Sequence, residues 1–224
     1  MQDSSDTHPN VEIQQTETLC DDWYRLDKVR FKYTRRDGTS QDLAREVYHN
    51  GPGAAVLLLD PAGENVVLTR QIRIPAYVNG DPPMLIEVCA GMIEPGEEPS
   101  VSARKEAEQE TGYRIGDLRQ VFVLYTSPGA SAEKLYLYVA TYDPHQSRNS
   151  AGGGVRTEGE DIEILELPLE RAWAMVEAGE IVDAKTVLLL QHVLIERAAS
   201  NVAADRTAPM QSGLPMARGG MVRN

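Results

Sequence analysis

Cysteine is almost missing from this chain. Cys20 and Cys89 are the two in 224 residues, too few for a disulfide framework and without the paired spacing of a zinc site, so a reducing cytoplasm is the natural compartment. Histidine is scarce as well: His8, His49, His145 and His192 are scattered, with no H-x-x-x-H pair, which removes the usual helical zinc motif. Basic residues are in deficit, with 22 Lys and Arg against 34 Asp and Glu and a net charge of -12. Contacts along a nucleic-acid polymer need the opposite excess, whereas a small phosphate ester needs only a cation and a few local arginines. Long hydrophobic runs are missing too. The most apolar stretches, residues 54–59 and 187–190, fall far short of a membrane span, and residues 1–6 lack the basic and apolar regions of a secretory signal. A soluble, cytoplasmic protein is expected, bound neither to membrane nor to nucleic acid.

What the chain does contain is a succession of short apolar runs and, at 42% hydrophobic, enough material for one sizeable core. Runs at residues 54–59, 66–71, 85–90, 121–124, 135–140 and 162–167 are bounded by Gly, Pro, Asp or Asn and predict strands of a mixed sheet. Arg36-Asp37-Gly38-Thr39, between residues 23–34 and 42–48, is a hairpin signal and predicts a small N-terminal β element over residues 18–50. Pro168 opens a helix that Gly179 ends, and Asp183 caps another running to about Ala199. That last helix, with Val187 to Leu190, Val193, Leu194 and Ile195, is apolar nearly all round, which predicts deep burial or a subunit interface. Residues 1–17 and 200–224 show no periodicity and are expected to be disordered tails, which leaves 51–199 as the principal domain. Helices on both sides of a mixed sheet make an α/β/α sandwich.

The densest local pattern lies at residues 91–113: Gly91, five residues, Glu97, seven residues, then Lys105-Glu106-Ala107-Glu108-Gln109-Glu110-Thr111-Gly112-Tyr113. Pro99 suits a first helical turn and Gly112 a left-handed terminus, so 99–111 reads as a helix. Glu106 and Glu110 then sit one turn apart on one face. Two carboxylates so placed repel unless solvent or a cation intervenes, and oxygen ligands of this kind suit magnesium or manganese. An arbitrary E-x-x-x-E pair is more often a solvated face; the fixed glycines and Glu97 reverse that expectation here. Gly152-Gly153-Gly154 lacks the lysine of a P-loop and reads as a flexible active-site loop, and Cys89 reads as a small buried hydrophobe.

This pattern resembles the Nudix box, with Lys105 in place of arginine, Gln109 in place of the first glutamate of the E-E pair, and Tyr113 at a position that is usually apolar. Beyond the box, Arg45-Glu46-Val47-Tyr48, Arg70-Gln71-Ile72-Arg73, Leu85-Ile86-Glu87-Val88-Cys89-Ala90-Gly91, Ala151-Gly152-Gly153-Gly154-Val155 and Lys185-Thr186-Val187-Leu188-Leu189-Leu190 resemble the ADP-ribose pyrophosphatase branch of the Nudix hydrolases. Within that branch they are most similar to the bacterial GDP-mannose pyrophosphatases. The resemblance implies a Nudix α/β/α sandwich that splits a nucleoside diphosphate sugar, GDP-mannose first and ADP-ribose second, with Mg2+ or Mn2+ as cofactor. It implies metal ligation by Glu106, Glu110, Glu160 and the Ala90 carbonyl, and a general base at Glu158, with Glu133 as rival. Arg45, Glu46, Arg73 and Glu133 match positions near the nucleotide sugar, and Glu97 one that holds the box loop. A homodimer, with the N-terminal β element crossing to the partner, is also implied. Gln109 removes one charge from the box and keeps open a second class of function, a catalytically weak module that binds a sugar nucleotide.

Overall fold

The computed structural model describes residues 10–145 and 148–207. An N-terminal antiparallel sheet is built from β1 (Val11–Asp21), β2 (Arg25–Thr34) and β3 (Ser40–His49), in that order. The expected hairpin turn is present: Gly38 adopts φ 83°, and the Thr39 amide and hydroxyl both donate to the Asp37 carboxylate, at 2.9 and 2.6 Å. β1 corrects the expectation of a structureless segment through residue 17. Nearly all of its side chains are exposed, so it has no apolar alternation to read, and its order comes from the main-chain ladder with β2, from Val11 opposite Tyr33 to Asp21 opposite Arg25.

The main sheet is mixed. Its central strand β4 (Gly53–Leu59), buried at every residue, runs parallel to β9 (Lys134–Tyr142) and antiparallel to β5 (Asn65–Ile72), with β8 (Ile115–Tyr125) and β10 (Glu163–Pro168) at the two ends of the order β10-β5-β4-β9-β8. β4 and β5 pair only at Leu58 with Val67 and Leu59 with Val66, then diverge. Into the fork go β6 (Met84–Glu87), paired with β5, and β7 (Cys89–Met92), paired with β4. The single strand expected over 85–90 is therefore broken at Val88, whose amide leaves the ladder and donates to the Thr186 hydroxyl at 2.8 Å. β8 is longer than the expected 121–124 because register shifts at 115–118 and 120–122 interrupt the alternation that would reveal it.

Helix α2 (Pro99–Thr111), which follows the short α1 (Ile74–Val78), lies against β4, β7 and β8. Its Ala103 and Ala107 pack into a core with Ala54, Val56, Leu58 and Cys89, and their small side chains let the helix approach the sheet closely. Helix α3 (Leu169–Glu177) lies against β5 and β10 and ends at Gly179, φ 74°. Helix α4 (Ala184–Thr207) is capped as expected by Asp183, which accepts from the Thr186 amide at 3.0 Å. It continues past residue 199 because nothing before Pro209 breaks it, so the expected C-terminal tail is helical to 207. The rest of both tails, 1–9 and 208–224, lies outside the described residues.

Candidate active site

The box folds as its spacing predicts. Pro99 occupies the first turn of α2, and Gly112, φ 74°, ends it with its amide on the Glu108 carbonyl at 2.9 Å. Glu97 accepts the Ser102 hydroxyl at 2.5 Å, which holds its carboxyl below the usual range. Lys105 pairs with Glu94 at 3.0 Å. Both contacts fasten the loop before α2 to its first turns.

Glu106 and Glu110 point from α2 toward the fork in the sheet. A Cβ built on Gly91 would lie 2.2 Å from the Glu106 carboxyl carbon, so the missing side chain is the space the carboxylate occupies, beside the Ala90–Gly91 peptide. Glu110 is 1% exposed and its Oε2 has no hydrogen-bond partner. Burial, with the charges of Glu106 and Glu160, pushes its carboxyl up to about 8 against the opposing pull of the Cys89 thiol, which hydrogen-bonds to it, and of Arg73. Cys89 is thus buried as expected, and is also a donor to the site.

Glu160 enters from the glycine loop, its Oε2 accepting the Val155 amide at 2.7 Å. That loop is seated on the end of α2: the Gly153 amide donates to the Glu110 carbonyl at 2.8 Å. Among the described residues no three acidic, histidine or cysteine side chains are already drawn into a closed metal cage. A buried carboxylate oxygen without a donor, facing two further carboxylates, nevertheless fits a hard divalent cation. Without one, a proton must take that place.

Arg73 stands at the same site by its charge interaction with Glu110. It grips Glu87 through two nitrogens, Nε to Oε1 at 2.6 Å and Nη2 to Oε2 at 3.0 Å. Glu87 also receives Lys185, which in turn pairs with Asp183 at 2.8 Å. Sequence reasoning missed Glu87, Asp183 and Lys185 as members of the site. Their one visible signal was charge where burial was expected, in Leu85-Ile86-Glu87-Val88 and at the start of an apolar helix.

The other predicted residues make contacts of their own. Glu133 accepts the Thr126 hydroxyl at 2.6 Å, and its loop is tied to the end of β3 by Tyr48, whose amide donates to the Ala130 carbonyl at 2.8 Å and whose carbonyl accepts from Ala132 at 2.9 Å. Arg45 and Glu46 line a shallow pocket with Lys28 and Ala44 that contains none of the box carboxylates. Glu158 ends a short 3-10 helix, Arg156–Glu158, and its side chain lies outside the described residues. Gln109 is exposed and lines a groove with Val101, Lys105 and Ser150. The charge of a glutamate at this exposed position would be largely screened by solvent.

Comparison with known proteins identifies the family. The family model described as the GDP-mannose pyrophosphatase NudK N-terminal domain matches residues 10–48, and the NUDIX domain model matches residues 49–192. The chain is 48% identical over 185 residues to the GDP-mannose pyrophosphatase of Cronobacter sakazakii, covering 82% of this chain and 95% of that protein. It is 45% identical over 186 residues to the enzyme of the same name from Pectobacterium atrosepticum, covering 83% and 94%. With that of Escherichia coli O139:H28 the identity is 46% over 176 residues, covering 78% and 90%.

Proposed function

The chain belongs to the Nudix family and is a pyrophosphohydrolase, and from that footing we propose that it hydrolyses GDP-mannose to GMP and mannose 1-phosphate. The observation that carries the chemistry is Glu110, a buried carboxylate with an unpartnered oxygen facing Glu106 and Glu160. The base and sugar rest on the relatives' names and on the N-terminal match.

Nudix hydrolases need a divalent cation; here we assign it to Glu106, Glu110, Glu160 and the Ala90 carbonyl, with Mg2+ as the resident ion and Mn2+ as substitute. When bound, it neutralises pyrophosphate charge and acidifies water. The chain's own side chains do the rest. Arg73, committed to Glu87 through Nε and Nη2, offers its remaining Nη1 edge to a phosphate oxygen. As water attacks phosphorus and the P–O–P bond breaks, a carboxylate takes the water's proton. Glu158 is our first assignment for that base and Glu133, on its Thr126 anchor, the second.

A Nudix-fold module that binds without turnover is the second reading, favoured by the neutral Gln109. Its exposure argues for retained activity. A panel of GDP-mannose, ADP-ribose and other nucleotide sugars, assayed with Mg2+ and with Glu106→Gln as blank, separates the two. GMP release from GDP-mannose should be fastest and should cease in excess chelator. Undiminished hydrolysis under chelation sinks the metal assignment, faster turnover of ADP-ribose moves the substrate, and tight binding without turnover selects the module.

We further propose a cytoplasmic homodimer. No helix among the described residues is long and apolar enough to cross a membrane, and both cysteines are free. Ile13 on β1 and Trp23 in the bend between β1 and β2 are 59% and 82% exposed, and Ile195 on α4 is 61% exposed, apolar surface of the kind that subunit contacts cover. We assign the N-terminal sheet to dimerisation, carrying Arg45 and Glu46 toward the neighbouring sugar site, and residues 51–199 to catalysis. Light scattering at micromolar concentration should give twice the 24.7 kDa chain mass; a monomeric mass rejects the dimer.

A further inference from the structure

Tyr113 stands where the box pattern calls for a plain apolar side chain, and its hydroxyl has found use. The ring is 5% exposed, tilted against Tyr142 with centroids 4.8 Å apart. Its hydroxyl donates to Glu166 Oε2 at 3.0 Å, while Tyr142 donates to Oε1 of the same carboxylate at 2.8 Å. On the far side of Tyr113 lies Arg148. Its guanidinium stacks over the ring at 4.4 Å from the centroid, and its Nη2 donates to the Tyr113 hydroxyl at 3.1 Å.

Arg148 begins a strap, residues 148–155, that is held to the end of α2 at several points. The Asn149 amide donates to the Gly112 carbonyl at 2.7 Å and the Gly153 amide to the Glu110 carbonyl at 2.8 Å. A Cβ on Gly112 would lie 2.3 Å from the Ser150 oxygen, on Gly152 2.7 Å from the Glu110 oxygen, and on Gly154 2.5 Å from Glu160 Oε2. The strap ends at the Val155 amide, which holds the Glu160 carboxylate. One end is therefore anchored by Arg148 on Tyr113, and the other sets a carboxylate whose charge acts on Glu110.

We propose that Arg148 is a positioning residue for the cation site: stacked on Tyr113, it fixes the strap and so fixes the Glu160 carboxylate opposite Glu110. This rests on the assignment of Glu160 as a ligand above. Side chains that act through one another show non-additive effects, which gives the test. Mn2+ binding to the full-length, substrate-free protein is titrated by the spin resonance of free Mn2+, with circular dichroism and urea midpoints as folding controls.

Arg148→Ala should raise the Mn2+ Kd about tenfold, ~1.4 kcal/mol. Tyr113→Phe, which keeps the ring in the core, should raise it by about threefold, ~0.7 kcal/mol, and carries the test if the alanine variant does not fold. Added to Glu160→Gln, Arg148→Ala should cost nothing more. Wild-type Mn2+ affinity in the folded single variant, or an equal further loss in the Glu160→Gln background, overturns the proposal. Wild-type affinity in Glu160→Gln itself overturns the ligand assignment instead, and the positioning role falls with it.

Discussion

Glu110→Gln should abolish hydrolysis and at the same time stabilise the metal-free protein at pH 8. The loss of activity follows from removing a charge at the proposed cation site; a drop of about a thousandfold or more corresponds to roughly 4 kcal/mol of transition-state stabilisation. The gain in stability follows from burial. With its carboxyl raised to about 8 by desolvation and by Glu106 and Glu160, Glu110 binds its proton more tightly in the folded chain than in the unfolded one. The folded state holds more protons between the ordinary carboxylate range and about pH 8, so stability falls as pH rises through that window. At pH 8 most of the cost is present, on the order of 2–4 kcal/mol, and a neutral isostere does not bear it. At pH 4 the difference between wild type and variant should vanish. Saturating Mg2+ should stabilise wild type by mass action and leave the variant nearly unmoved. Urea unfolding in chelator at pH 4 and 8, then with Mg2+, checks each step. A variant less stable than wild type at pH 8 without metal refutes the argument.

The parts of this site that could be read from sequence are those whose geometry is local. Pro99 and Gly112 bracket α2 because one tolerates a missing donor and the other a positive φ, and helical spacing then puts Glu106 and Glu110 on one face. Glu97 reaches Ser102 within five residues. What was hidden depends on long-range closure. Lys185 meets Glu87 across 98 positions and Arg148 meets Tyr113 across 35, and no periodicity links such partners. β1 escaped for a different reason: a strand with both faces exposed carries no alternation. The break at Val88 is visible only once β4 and β5 are known to diverge, and the same fork brings Glu87, Cys89 and Ala90 to the helix that carries the acidic pair.

Glu87→Gln should be the most destabilising of the conservative charge changes, by about 3–5 kcal/mol, the range for removing one partner of a buried ion pair. Glu87 is 2% exposed and holds both Arg73 and Lys185. Burial alone would push its carboxyl up; the hydrogen bond from Arg73 and the charges of Lys185 and Arg73 outweigh burial and hold it below the usual range. Its sign is therefore opposite to that of Glu110. The stability it contributes is complete above the ordinary carboxylate range and is lost as pH falls through its lowered value, so the gap between wild type and Glu87→Gln should be widest near neutrality and close in acid. Charge counting gives a sharper test. Arg73 and Lys185 are balanced by Glu87 and Asp183, so Glu87→Gln strands one positive charge that Lys185→Met removes again. The double variant should be less destabilised than the sum of the singles by about 1–3 kcal/mol. It should not recover activity, because Arg73 has lost the carboxylate that aims it. Strict additivity in urea unfolding at pH 7 would show that the four side chains do not act as one balanced network.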